Sequence, residues 1–323
     1  MKQKFSKLLV VLVGPTASGK TAVGIELAKK INAEIISADS RQIYKYLDIG
    51  TAKPTRAKTQ KRKNAKTPII IKGVPHYLID IIEPDKTYSA GEFRRDAEKI
   101  IEKIYARKKT PLVVGGTGLY IRALVDGLSE LPSADINLRK KFIQQAKKYG
   151  KDYLYKKLQK VDLESAKKIH PQNLPRIIRA LEVYHLTKIP LSAWHKKTPF
   201  PKYKVKIFGL SWERDKLYQR INERVDKMRE GGILDELKRV MKRSYSKDSP
   251  GFQGLGYKHL LKFLNGNHTL EETINLWKRD TRRYAKRQMT WFKKDKRINW
   301  IEINQPLNQK IIAEKIEKFL KKD

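Results

Sequence analysis

The chain has 323 residues, of which 40% are hydrophobic and 33% charged, enough to build a substantial core and two packed units, and this excludes a disordered or staple-dependent chain. It has no cysteine and only six scattered histidines, which excludes disulfides, thiolate zinc sites, a cysteine nucleophile and an HExxH-type metal centre. Lysine and arginine number 72 against 34 acidic residues; the net charge of +38 points to a polyanionic partner such as nucleic acid, although a lysine-rich composition alone produces the same sum.

Leu8–Val13 is a six-residue apolar run that ends in Gly14 and Pro15, the pattern of a buried parallel strand feeding a loop. Val23, Leu27 and Ile31 then recur at helical spacing over Lys20–Ile31. Glu34–Ala38, Tyr77–Ile82 and Pro111–Val114 read as further strands, with a helix over Gly91–Arg107 before the last of them. Strands alternating with helices predict an α/β fold, a parallel sheet flanked by helices on both faces. Lys53–Lys72 interrupts this order with many cations and two prolines and is expected to be a solvated basic loop. Strand signals stop after Gly127, and Asn137–Ala146, Asp152–Leu158 and Leu174–His185 read as helices of an inserted unit, ending in the proline-punctuated stretch Pro190–Pro201. Lys204–Leu210 predicts a strand returning to the sheet, and helices are expected from there to the end. The predicted organisation is therefore a first core part at 1–127, a helical insertion at 128–202 and a core return at 203–323. In the penultimate helix Leu270, Ile274, Trp277, Tyr284 and Trp291 form one stripe, leaving Arg279, Arg283, Lys286 and Arg287 on other faces. No apolar run approaches the roughly 20 residues of a membrane span, so neither a span nor a signal peptide is expected, and a cytoplasmic, monomeric protein is.

Gly14-Pro15-Thr16-Ala17-Ser18-Gly19-Lys20-Thr21 fits G-x-x-x-x-G-K-[ST] between a predicted strand and a predicted helix. Glycines let backbone N–H groups curl around phosphate oxygens, the helix N-terminus adds partial positive charge, Lys20 adds a full one, and the Thr21 hydroxyl can ligate Mg²⁺. The loop binds a diphosphate without saying whose. A kinase that attacks phosphorus and a transferase that attacks the carbon bearing the diphosphate both remain open, as does a noncatalytic RNA-binding protein.

Further segments follow in order: Ile36-Ser-Ala-Asp39-Ser40-Arg41-Gln42-Ile-Tyr44, Asp48-Ile-Gly50-Thr51-Ala-Lys53-Pro54, Tyr88-Ser-Ala-Gly-Glu-Phe93-Arg94-Arg95-Asp96, Gly115-Gly116-Thr117-Gly118-Leu-Tyr120, Leu131-Pro-Ser-Ala-Asp135, His170-Pro171, Arg179-Ala-Leu-Glu182-Val, Gly256-Tyr257 and Lys286-Arg-Gln288. In this order they resemble the bacterial tRNA dimethylallyltransferases, also called tRNA isopentenyltransferases, over essentially the whole chain. The basic stretch Lys53–Lys72 and the lysine-rich tail depart from the family pattern.

The resemblance implies that the cradle holds dimethylallyl diphosphate and that the acceptor is the adenosine 3′ of the anticodon in tRNA. It assigns Asp39 as general base, Thr117 as a contact to the reacting adenine and Arg224 as a diphosphate contact, with Arg220 one turn away as a second candidate. The chemistry suits these types: a carboxylate can take the proton of a poorly nucleophilic amine, and cations stabilise a departing diphosphate. Other readings of the same residues are a Mg²⁺-binding aspartate or helix cap for Asp39, a helix cap for Thr117, and surface ion pairs for the arginines. The resemblance further implies tRNA contacts at Asp39, Ser40, Arg41 and Gln42, at Thr117 and Arg139, along Pro175, Arg176, Ile177, Ile178 and Arg179, and along Gln253, Gly254, Leu255, Gly256, Tyr257 and Lys258. The target base must leave its stack to reach the donor carbon, so a channel is expected.

Overall fold

The computed structural model of the chain describes residues 7–54, 67–129, 131–196, 202–303 and 306–321. Its elements in chain order are β1 (Leu8–Val13), α1 (Lys20–Lys30), β2 (Ala33–Ala38), β3 (Ile69–Ile71), β4 (Val74–Tyr77), α2 (Ala90–Ala106), β5 (Thr110–Gly115), α3 (Gly118–Val125), α4 (Ile136–Tyr149), α5 (Lys151–Val161), α6 (Leu163–Lys168), α7 (Leu174–Thr187), α8 (Leu191–Lys196), β6 (Lys204–Trp212), α9 (Arg214–Glu230), α10 (Ile233–Met241), a short tight helix at Pro250–Gln253, α11 (Leu255–Leu264), α12 (Leu270–Phe292), β7 (Ile298–Ile303) and α13 (Gln309–Lys321). They fall into two compact units, one running to Val125 and resuming at Lys202, the other spanning Asp126–Pro201.

The first unit is an α/β layer structure around a seven-stranded sheet in the order β3-β4-β2-β5-β1-β6-β7. Every pairing is parallel except β3 with β4. β1 shows why its sequence does not alternate. Val10 and Leu12 enter one core with Val23, Leu27 and Ile312, while Leu9, Val11 and Val13 enter the opposite core with Phe93, Ile101 and Tyr120. Both faces of the strand are covered, so every position must be apolar. In register, Val13 stands beside Gly115 of β5 and Gly209 of β6, and Ala38 of β2 stands beside Gly115. The carboxyl ends of β1, β2 and β5 therefore meet at one edge, beside the middle of β6, the usual position of sites in open parallel sheets. A third core gathers Ile43, Leu47, Val225, Ile233, Phe252, Tyr257 and Trp277 from the segments that build that edge.

Three sequence expectations change. The strand expected at Tyr77–Ile82 ends at Tyr77, because Leu78 and Asp80 take left-handed φ values of 60° and 55°. The polar groups of 80–82 pair with 42–44 instead: the Asp80 N–H donates to the Gln42 carbonyl at 3.0 Å and the Ile81 N–H to that of Ile43 at 2.7 Å. Helices do not hold the whole C-terminal part, since Ile298–Ile303 adds a parallel edge strand on β6. Lys53–Lys72 is not uniformly a solvated loop: Lys53 is buried, ion-paired with Asp48 at 2.7 Å and with Asp80, and Ile69–Ile71 forms β3. The stretch 55–66, which holds most of its cations, lies outside the described residues, as do 197–201 of the proline-punctuated stretch.

The second unit is helical, with α4, α5 and α7 packed around Phe142, Leu154, Leu158, Ile177 and Leu181. Asp135 begins α4 by accepting the Leu138 N–H at 2.9 Å, and Asp162 begins α6 by accepting that of Ser165 at 2.9 Å.

Candidate active site

The loop after β1 is shaped by two left-handed residues, Ala17 with φ 63° and Gly19 with φ 86°. Alternation of this kind turns successive N–H groups toward one centre, an anion-binding nest at the N-terminus of α1. Gly19 is required twice over, since a Cβ there would also strike Leu307. Ser18 is fully buried and belongs to the loop's framework.

Four side chains from distant elements fix this cradle. The Thr16 N–H donates to Gln288 Oε1 of α12 at 2.8 Å. Arg224 Nη1 of α9 donates to the Thr16 hydroxyl at 3.2 Å. Arg220 Nε donates to the Ala17 carbonyl at 3.1 Å, and its guanidinium lies 4.5 Å from the Trp212 ring centroid, whose own indole N–H donates to the Ser18 carbonyl at 3.0 Å. Arg220 thus braces the loop from behind, whereas Arg224 faces the cavity.

Lys20 Nζ folds back to the Pro15 carbonyl at 3.2 Å. Burial pushes its pKa down to about 8; the Asp39 charge opposes that fall and the Arg224 charge adds to it. Burial likewise lowers the pKa of Arg224, again against the pull of Asp39. Two partly buried cations at the cavity with one carboxylate nearby form a receptor for an anion.

Asp39 leaves the end of β2. Its Oδ1 accepts the N–H of Arg41 at 2.8 Å and of Gln42 at 3.4 Å, a turn that projects residues 40–42 along the cavity. Thr117 follows β5; its N–H donates to the Ala38 carbonyl at 3.1 Å and its Oγ1 accepts the Ser40 N–H at 3.0 Å. Its hydroxyl therefore supports Ser40, and it is Ser40 that lines the cavity. Close approach of these loops needs Gly115, where a Cβ would run into the Ala38 carbonyl.

These parts surround a cavity of about 410 Å³. The phosphate-loop residues Thr16, Lys20 and Thr21 line it together with Asp39 and Arg224. The remaining lining mixes apolar side chains, among them Ile35, Val114, Val225, Met228, Leu255 and Trp277, with polar ones such as Ser37, Gln42, Thr51 and His76. Thr21 supplies a hydroxyl oxygen, a hard ligand suited to Mg²⁺. Among the described residues no group of three or more His, Cys, Asp or Glu could hold a metal ion alone, so an ion here would share the ligand's oxygens.

The expected RNA-facing residues divide. Arg41, Gln42, Gln253, Gly254, Leu255 and Gly256 all line the cavity, and Lys258 is exposed beside them. Tyr257 is wholly buried: its hydroxyl donates to Glu236 at 2.5 Å and accepts the Gly50 N–H at 3.0 Å. In the second unit Pro175 and Arg176 are exposed, while Ile177 and Ile178 are core residues. Arg139 and Arg179 both pair with Glu182, which is 0% exposed, at 2.8 Å and 2.6 Å.

Several lining residues carry no role in the sequence reading. Thr281, Tyr284, Arg287 and Gln288 of α12, and Ile221, Val225 and Met228 of α9, all face the cavity. The stripe on α12 gave a partial signal through Trp277 and Tyr284. Its ends do not follow, since Leu270 and Trp291 are both 38% exposed; Arg287 is exposed, as expected of another face, and also borders the cavity.

The profile of the IPP transferase family matches residues 42–295, and that of isopentenyl transferase residues 7–66. A tRNA dimethylallyltransferase from Carboxydothermus hydrogenoformans is 48% identical over 316 residues, covering 96% of this chain and 97% of its own. Another, from Acetivibrio thermocellus, is 46% identical over 297 residues, 91% of each chain. Among solved structures, the tRNA isopentenylpyrophosphate transferase of Bacillus halodurans is 40% identical with a TM-score of 0.69, covering 98% of this chain and 97% of that one. A eukaryotic dimethylallyltransferase acting on tRNA is 28% identical with a TM-score of 0.79, covering 98% of this chain and 80% of that one.

Proposed function

The chain belongs to the IPP transferase family, and from that premise we propose that it transfers a dimethylallyl group from dimethylallyl diphosphate to the N6 amine of the adenosine 3′-adjacent to the anticodon in tRNA. The carrying observation is a cavity in which the phosphate loop, Lys20, Asp39 and Arg224 lie together with apolar side chains such as Ile35, Val114, Val225 and Leu255. A diphosphate joined to a short hydrocarbon matches both kinds of lining. An ATP-dependent kinase, the alternative, would use the same phosphate loop and is told apart by its product.

In this reading the adenine nitrogen attacks the carbon that bears the diphosphate, the C–O bond breaks, and the electron pair leaves with diphosphate. Positive charge grows on the allylic carbon and negative charge on the leaving oxygens, so Lys20, Arg224 and the N–H groups of the loop stabilise the transition state more than the ground state. Asp39 takes the proton released by the amine. Ser40, held by Thr117, and Arg41 line the path by which a flipped base would enter. Mg²⁺, held through Thr21 and diphosphate oxygens, supplies further charge neutralisation when bound.

The acceptor RNA is expected along Asp39–Gln42 and Gln253–Lys258 of the first unit and along Arg139 and Pro175–Arg179 of the second. The exposure of Arg176, Gln253 and Lys258 and the net charge of +38 support that assignment. Work in the cytosol fits the absence of cysteine. Among the described residues no helix is long and apolar enough to cross a membrane.

Incubation with labelled dimethylallyl diphosphate and tRNA, followed by mass spectrometry of anticodon-loop nucleosides, tests the proposal. A prenylated adenosine at the predicted position is expected. Label absent from tRNA, together with transfer of phosphate from ATP to a metabolite, would replace it with the kinase reading.

A further inference from the structure

Gln288 is a buried side chain from the twenty-three-residue helix α12, 7% exposed, and it lines the cavity beside the phosphate loop and the loop after β5. Its amide is used at both ends. Oε1 accepts the Thr16 N–H of the phosphate loop at 2.8 Å, and Nε2 donates to the Gly116 carbonyl at 2.8 Å. The orientation is fixed by chemistry, because an N–H must face an oxygen and a carbonyl must face an N–H. No other uncharged side chain of similar length satisfies both partners. Gly116 has no room for a side chain, since a Cβ there would strike Gln288 Nε2 and come within 3.5 Å of Lys20 Nζ.

The connection continues on the acceptor side. Gly116 is followed by Thr117, whose hydroxyl holds the Ser40 N–H, and Ser40 follows Asp39. One amide therefore ties together the tips of two loops that leave the paired ends of β1 and β5, the loop that grips the leaving group and the loop that positions the base.

We infer that Gln288 is a positioning residue, which holds the phosphate loop and the Gly116–Thr117 loop at a fixed separation so that the donor carbon faces the adenine amine and not water. The inference rests on the prenyl-transfer reading above. Transfer between two bound partners gains most of its rate from alignment, and a displacement of about 1 Å costs on the order of 10²-fold. A loosened gap admits water, which attacks the same carbon: the C–O bond breaks, diphosphate leaves with the electron pair, and dimethylallyl alcohol forms with loss of a proton. Misalignment thus has a chemical signature that simple loss of stability lacks.

The experiment compares wild type with Gln288→Ala and Gln288→Glu, each checked for folding by thermal melting, and measures prenyl transfer to tRNA and release of dimethylallyl alcohol in the same reaction. For Gln288→Ala the expected result is a fall in kcat of roughly 10²-fold, little change in KM for tRNA, and a ratio of hydrolysis to transfer raised by about tenfold or more. Gln288→Glu keeps the acceptor for Thr16 but loses the donor to Gly116 while ionised; protonated, it restores both. Its activity relative to wild type is therefore expected to rise as pH falls. Should the alanine protein not fold, the glutamate protein decides alone. An unchanged hydrolysis-to-transfer ratio, or a Gln288→Glu profile parallel to wild type, overturns the inference. Wild type that fails to prenylate tRNA at all would sink the function reading instead, so the two failures are distinguishable.

Discussion

Arg224 donates to the hydroxyl of Thr16 at 3.2 Å, across a sequence separation of 208 residues. The contact brings a guanidinium from α9 to the rim of a loop that already carries Lys20. Among the described residues neither cation forms an ion pair. Burial disfavours both charges, the Asp39 charge offsets part of that cost, and a bound anion would relieve more of it. Replacing Arg224 by Gln keeps a hydrogen-bond donor and removes the charge. We expect kcat/KM for dimethylallyl diphosphate to fall by roughly 10²–10³-fold, in the range for loss of one preorganised donor to a developing anion. Steady-state kinetics with donor varied is the check, and a loss below about threefold would show that Arg224 is only a brace for the loop.

Lys20 sets a pH dependence for donor binding. Its pKa falls from 10.5 to about 8 in the free protein, chiefly through burial. A bound diphosphate favours the ammonium and raises the value again. Below the free-protein pKa both states are protonated and affinity is flat; above it binding must take up a proton, so affinity falls as pH rises. The expected loss approaches tenfold per pH unit between about pH 8 and pH 10. A nonreacting alkyl diphosphate, whose phosphates stay ionised in that window, gives the cleanest titration by calorimetry. Affinity that stays level up to pH 10 would mean that Lys20 remains charged in the empty site.

Asp39 has two jobs that one substitution can separate. Both backbone bonds of its turn fall on Oδ1, from Arg41 at 2.8 Å and Gln42 at 3.4 Å. Asn retains such an acceptor and loses the basic carboxylate. Asp39→Asn is therefore expected to lower kcat by about 10²–10⁴-fold while tRNA affinity stays near wild type. A parallel collapse of tRNA binding would assign Asp39 to holding the loop rather than to proton transfer.

Much of this site is legible in the sequence because its signals are local. The phosphate loop needs a strand, a glycine at positive φ and a helix start within a few residues, and Leu8–Thr21 supplies them contiguously. The alternation of strands and helices likewise follows from short windows. What escapes is whatever long-range contact decides. The apolar run after Tyr77 has strand composition, yet it docks on 42–44 through left-handed turns at Leu78 and Asp80. Lys53 looks solvated within a basic stretch until Asp48 and Asp80 are brought to it by the fold. Gln288 belongs to the Lys286-Arg-Gln288 segment, but neither it nor Met228 signals a place at the cavity; the packing of α9 and α12 brings them there.

Glu182 gives the second unit a testable electrostatic knot. Its buried carboxylate accepts the Asp135 N–H at 2.8 Å, two bonds from Arg139 at 2.8 Å and 2.9 Å, and one from Arg179 at 2.6 Å. Burial would raise its pKa, but hydrogen bonds from the two arginines outweigh that and hold it below the usual glutamate range. The sign follows: a depressed carboxylate contributes stability above its unfolded value, and that contribution is lost as pH falls through the folded value. Removing the carboxylate leaves the Asp135 N–H and two partly exposed arginines without their acceptor, and Glu182→Ala is expected to destabilise the unit by about 1–3 kcal/mol, read as a lower unfolding midpoint.

Tyr257 offers the sharpest choice between a structural and an RNA-binding role. Burial first, and the charge of Glu236 next, hold its phenol well above the usual tyrosine range, so the hydroxyl stays protonated and donates to Glu236 at 2.5 Å. The same oxygen accepts the Gly50 N–H at 3.0 Å, while Glu236 accepts those of Asp48 at 2.8 Å and Ile49 at 2.9 Å. This knot fixes the 48–50 segment, and Gly50, Thr51 and Ala52 form one wall of the cavity. Tyr257→Phe removes the hydroxyl without changing the ring that packs in the core. It leaves the Gly50 N–H and part of the carboxylate unpaired, a loss of about 1–3 kcal/mol. The expected outcome is a lower thermal midpoint and faster amide exchange at Gly50, with tRNA affinity and its salt dependence unchanged. Weaker tRNA binding at unaltered stability would reverse the assignment and bring the phenol to the RNA.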